Sequence, residues 1–159
     1  MPTDSLFQIA NTAALASWLA LVFLPRYRAI TFSIKWGVVL SLCVLYTVLI
    51  FVYFYGVKGG GFFSLQAVQR LFESPHVALA GWMHYLAFDL LIGLVIVQQS
   101  AAMGLSRLIQ APILLTTFMF GPMGWLLFQG VVAAQRSSAS KQAQPSAHTA
   151  RTTSQESFQ

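Results

Sequence analysis

The stretch Gly81-Trp82-Met83-His84-Tyr85-Leu86-Ala87-Phe88-Asp89-Leu90 puts an acid, an imidazole and a phenol close together in one apolar segment. These side-chain types do proton-transfer chemistry. A carboxylic acid gives a proton, a neutral imidazole takes one, and a phenol or an amide holds an oxygen in place. Asp89 is the one carboxylate of the sequence well inside an apolar stretch. Ionised at the centre of a bilayer, it would cost about 3 kcal/mol on insertion scales, so it must be paired, hydrated or protonated. Tyr85 and Asp89 are i, i+4 and share a helix face with Trp82 and Gly93. His84 lies about 140° from Asp89 around the helix. The two therefore meet partners on other helices or line opposite edges of one cleft. Asn11, in the first apolar stretch, is expected at a depth similar to that of His84.

The same residues also admit structural readings. A neutral Asp89 carboxyl, His84 and Asn11 can each tie helices together by hydrogen bonds. Metal and cofactor chemistries lack their ligands. The single cysteine, Cys43, has no partner, no His-x-x-x-His or carboxylate array is present, and no Gly-x-Ser-x-Gly elbow occurs. Gly59-Gly60-Gly61 follows no strand and reads as a linker rather than a phosphate loop. Catalysis, if present, is acid–base work without cofactor or metal.

The elements that must position these groups are membrane spans. Hydrophobic residues make up 57% of the chain and charged residues 8%, against roughly a quarter charged in a soluble domain. A soluble fold of this length could not cover its surface with so few charges, whereas lipid needs none. The net charge of +5 comes from basic residues scattered at the ends of apolar segments, which suits headgroup anchoring and not nucleic acid. Four spans are predicted: 6–24, ending at Pro25; 36–55, ending in Tyr53-Phe54-Tyr55; 77–97; and 108–133, interrupted at Gly121-Pro122. Ala10, Ala13, Ser17 and Ala20 form a small-residue stripe that permits close helix approach and allows a homo-oligomer. In 62–73, Gln66, Gln69, Arg70 and Glu73 fall on one helix face, predicting a short amphipathic helix on the membrane surface. Ser74-Pro75 is a cap followed by a first helical position.

Pro122 removes a backbone donor and disturbs the carbonyl of Phe118. That break falls near the height of Asp89, which in its neutral form could donate to the freed carbonyl. The fold class is thus all-α and polytopic, with residues 1–134 as a four-helix transmembrane domain. Residues 135–159, rich in Ser, Gln, Ala and Thr, are expected to form a disordered polar tail. Basic flanks around the first span (Arg26, Arg28 and Lys35 after it, none before) favour an N-out arrangement. Met1–Leu6 carries no basic region, so the first span is expected to be retained and the protein to be a multi-pass protein of a bacterial inner membrane.

The sequence resembles the abscisic-acid-deficient-four-like family, whose plant members are implicated in making neoxanthin. The likeness rests on Phe7 to Pro25 with Asn11 and Trp18, on the Gly61–Leu65 stretch, and above all on Trp82-Met83-His84-Tyr85 to Phe88-Asp89-Leu90. Pro112, Leu114, Thr116, Phe118 and Phe120-Gly121-Pro122-Met123-Gly124 extend it through the last span. After Gly93 the chain departs from the family pattern, with Gln99 in the place of an aspartate. The resemblance implies an isomerase that turns a xanthophyll epoxide into an allenic alcohol without net redox change. Asp89 would be the acid and His84 the base, with Tyr85 and Asn11 orienting the oxygen and Trp82 and Phe88 packing against a carotenoid or other isoprenoid. The alternative is a non-catalytic membrane protein that binds pigment, assists assembly or forms part of a small transport system.

Overall fold

A computed structural model describes residues 3–25 and 27–138. Every regular element among them is a helix. The first, α1 (Thr3–Phe23), is uncharged after Asp4, which sits in the first turn where the helix dipole favours an acid. It stops short of Pro25. The second, α2 (Arg28–Gly56), starts earlier than its apolar core implies, so Arg28 and Lys35 lie inside the helix and not in a loop. A lysine stem can run along apolar surface towards the headgroups, so one charge near a helix end does not stop it. The Lys35 ammonium rests 5.2 Å from the centre of the Trp36 ring. Residues Ile34–Val39 form a π-helical turn within α2.

Helix α3 (Leu65–Glu73) is the amphipathic segment. Ser64 opens it, its hydroxyl accepting from the Ala67 amide at 3.1 Å, and Leu71 is buried while the polar face is open. Helix α4 (Pro75–Ala102) begins at the proline, as the Ser74-Pro75 pair predicts, although the Ser74 side chain makes no capping bond. Helix α5 (Arg107–Phe120) contains Pro112 and ends at Gly121. Helix α6 covers 122–138. Residues 135–138 of the polar tail belong to α6; the rest of it, 139–159, lies outside the described residues together with Arg26.

Among the described residues, α1, α2 and α4 are each long and apolar enough to cross a membrane. The broken pair α5–α6 fits as a fourth crossing. Inside the spans several hydroxyls bond to their own helices, while the Ser100 hydroxyl is buried with no hydrogen-bond partner among the described residues. Thr12, Ser17, Thr47, Thr116 and Thr117 each donate to the carbonyl four residues back, at 2.7–2.9 Å.

Helix α4 is the centre of the bundle, packed by α1, α2, α3 and α5. Its Ala80, Met83, Leu90 and Ile96 are fully buried. Ala10 and Ser17 of the small-residue stripe are buried inside the same chain, so half of the stripe serves intramolecular packing. Gly93 lets the Trp18 indole lie on the α4 backbone: a Cβ there would stand 2.8 Å from the ring. Trp82 near the start of α4 touches Phe7 near the start of α1. The two helices therefore run in the same direction, and their C-terminal ends meet at the opposite end of the bundle.

Candidate functional site

The junction of α5 and α6 is built by two glycines. Gly121 adopts φ +38°, ψ −89°, a conformation strained for any L side chain. A Cβ on Gly121 would also stand 2.5 Å from the Asp89 Oδ1 atom. Three residues on, a Cβ on Gly124 would strike the Thr117 hydroxyl and lie 2.5 Å from the Thr117 backbone N and Cα. The chain thus turns closely round Thr117, whose hydroxyl is held by the Ile113 carbonyl at 2.8 Å and whose own carbonyl accepts from the Gly121 amide at 2.7 Å. This turn presents bare backbone to α4 at the height of Asp89.

Asp89 fills that space. It is 6% exposed, and its Oδ2 atom is buried with no hydrogen-bond partner among the described residues. It does not make the expected bond to the Phe118 carbonyl, because the carboxyl lies against Gly121 itself. Tyr85, one turn away, is near enough to interact with the carboxyl, but its hydroxyl donates to the Met119 carbonyl at a long 3.5 Å.

A cleft of about 380 Å³ opens beside Asp89 between α1, α4 and α5. Its walls include Trp18, Trp82, Tyr85 and Phe118. Trp18 and Phe118 pack with ring centres 5.6 Å apart, and Trp82 stacks on Tyr85 at 5.5 Å. The indole N–H of Trp82 donates to Asn11 Oδ1 at 2.7 Å, fastening α4 to α1. Trp82 also borders a second cavity, about 270 Å³, that runs out past Phe7 to Asp4 and Pro75. Together the two cavities follow α4 from Pro75 to Asp89, about 21 Å at the helical rise.

The structure brings Asn11, Trp82, Tyr85 and Asp89 into one cleft and leaves His84 and Phe88 outside it. His84 is exposed on the face of α4 turned towards α2, stacked on Phe88 at 4.5 Å and beside Tyr46 at 5.3 Å. The angular offset around α4 explains the separation: the face carrying Asp89 meets α1 and α5, and the face carrying His84 meets α2. The sequence marks a break at Gly121-Pro122, but it does not reveal how Gly121 and Gly124 shape the carboxyl's surroundings. A Gly-x-x-Gly pair that begins four residues after a buried threonine is the signal that marks it.

The Asn11–Trp82 bond gives a direct test. Trp82→Phe keeps the ring surface and removes the N–H, and is expected to lower the unfolding free energy by about 1 kcal/mol. Thermal unfolding in detergent measures this, and an unchanged midpoint would show that the bond does not fasten the helices.

Fold and site together define an all-helical membrane protein with a buried carboxyl, Asp89, beside an aromatic-walled cleft. The sequence profile of the ABA DEFICIENT 4-like family matches residues 5–128, and the chain belongs to that family. No curated protein and no solved structure matches the chain.

Proposed function

We propose that the protein is a cofactor-free isomerase of a bacterial inner membrane, acting on a carotenoid or similar isoprenoid that carries an epoxide oxygen. The observation that carries this reading is the Asp89 Oδ2 atom, buried beside the cleft and without a hydrogen-bond partner among the described residues. A purely structural carboxyl would be held by a partner on a neighbouring helix, since an unsatisfied buried polar group is costly. A reactive one must be left free to meet its substrate. The elongated groove between α1 and α4 suits a rod-like hydrocarbon, and aromatic walls suit a polyene.

One carboxyl can close the proton balance. Neutral Asp89 gives its proton to the epoxide oxygen as a carbon–oxygen bond breaks, and the carboxylate left behind takes a proton from a neighbouring carbon. The product is an isomer, an allenic alcohol, and Asp89 returns to its starting state. The Tyr85 hydroxyl orients the oxygen, and Asn11 acts through Trp82. His84, outside the cleft, has no part in this scheme.

The test is to express the protein in membranes supplied with an epoxide-bearing xanthophyll and to follow pigment composition by chromatography and mass spectrometry. Appearance of an isomer of equal mass is expected. Aromatic walls also favour a second reading, pigment binding without turnover. In that case the purified protein retains the pigment unchanged. Recovery of neither product nor bound isoprenoid would defeat both.

A further inference from the structure

The largest of the cavities described lies at the other end of the bundle and takes no part in the Asp89 cleft. It encloses about 430 Å³ where the C-terminal ends of α1 and α4 meet the starts of α2 and α5. Arg28, Thr31, Gln98 and Gln110 line it. Gln110 is 6% exposed, yet its side-chain amide makes no hydrogen bond within the described chain. The residue is enclosed, but its amide atoms are not sealed off by the chain; they border the cavity and are available to a ligand there. Arg28 is exposed and, among the described residues, has no ion-pair partner.

Among the described residues, charge at this end is of one sign. Arg28, at the cavity, and Lys35 and Arg107, near the same helix ends, are all basic, whereas the opposite end mixes Asp4 and Glu73 with Lys58 and Arg70, and Asp89 lies in mid-bundle. The cavity therefore combines a free guanidinium, uncapped amide donors and a position where the spans leave the hydrocarbon. Guanidinium and amide N–H groups together are the usual holders of phosphate oxygens.

We infer that this pocket binds the phosphate group of an anionic membrane lipid, with Arg28 supplying the charge and Gln110 an amide donor. The acyl chains would run down the exposed apolar surface of the neighbouring helices. This site is separate from the proposed reaction centre, so its test needs no substrate.

The full chain is purified in detergent, and thermal unfolding is followed with added phosphatidylglycerol, phosphatidylcholine or inorganic phosphate. Phosphatidylglycerol is expected to raise the midpoint, and phosphatidylcholine to do so much less. Arg28→Gln should weaken the apparent phosphatidylglycerol affinity about tenfold. Gln110→Leu should also weaken it, while leaving the lipid-free midpoint unchanged or higher, because no hydrogen bond within the described chain is lost. A Gln110→Leu protein that responds to phosphatidylglycerol like wild type would overturn the inference. Equal stabilisation by inorganic phosphate would assign the pocket to free phosphate and overturn the lipid.

Discussion

Asp89→Asn is expected to lower conversion of an epoxide substrate by about a hundredfold or more while the protein still folds and inserts. The size follows from the role: a positioned general acid contributes about 10²–10⁴ in rate, and a carboxamide of the same shape cannot supply that proton. Folding should be nearly indifferent, within about 1 kcal/mol, because Oδ2 makes no hydrogen bond to lose and an Asn carbonyl can still receive the Tyr85 hydroxyl. The pairing of these two readouts matters. If Asp89 were an interhelical tie, Asn would lower the detergent unfolding midpoint, and any loss of product would follow the loss of folded protein. His84→Ala is the companion measurement. His84 packs against Tyr46 and Phe88, away from the cleft, so its removal should leave conversion near wild type. Loss of product in His84→Ala with Asp89→Asn unaffected would move the chemistry to the α2 side of α4.

Gly124→Ala is expected to be the most damaging single methyl in the protein. Its Cβ would lie 2.5 Å from two backbone atoms of Thr117, and backbone cannot rotate aside as a side-chain tip can. Relief requires opening the α5–α6 turn, which is anchored by the buried Thr117 on one side and the fully buried Phe128 on the other. A cost of about 3 kcal/mol or more is expected, at the upper end of overpacking changes. Gly130, six residues further along α6, has open space where a Cβ would stand. Gly130→Ala should therefore be neutral, or stabilising by up to about 1 kcal/mol through helix propensity. Thermal unfolding of the two variants side by side measures the contrast. Equal midpoints would show that the turn is looser than described.

Much of this arrangement was legible in the residues. Long uncharged runs mark the spans because charge is costly in lipid, and Ser74-Pro75 and Gly121-Pro122 punctuate them because proline and glycine act locally on the backbone. The amphipathic helix was equally plain from the spacing of Gln66, Gln69, Arg70 and Glu73. What the residues left open was which neighbour each face of α4 would meet. Periodicity separates Asp89 from His84 around the helix, but it cannot say that α5 lies against one and α2 against the other. Lys35 illustrates a second limit. A charge in sequence reads as a boundary, while its long stem lets the helix continue beneath it. Gln110 illustrates a third, since a single amide in an apolar run gives no sign of whether it will be bonded or left facing a cavity.

The bond between the Trp82 indole and Asn11 also bears on selectivity. With its N–H already engaged, Trp82 offers a passing guest nothing but carbon, midway between the outer cavity and the acid. A rod with oxygen at its middle would find no hydrogen-bond partner for it there, whereas one whose oxygen sits at the tip would pass. For the proposed substrate, the groove would thereby measure how far along the molecule its oxygen lies, with α4 as the ruler.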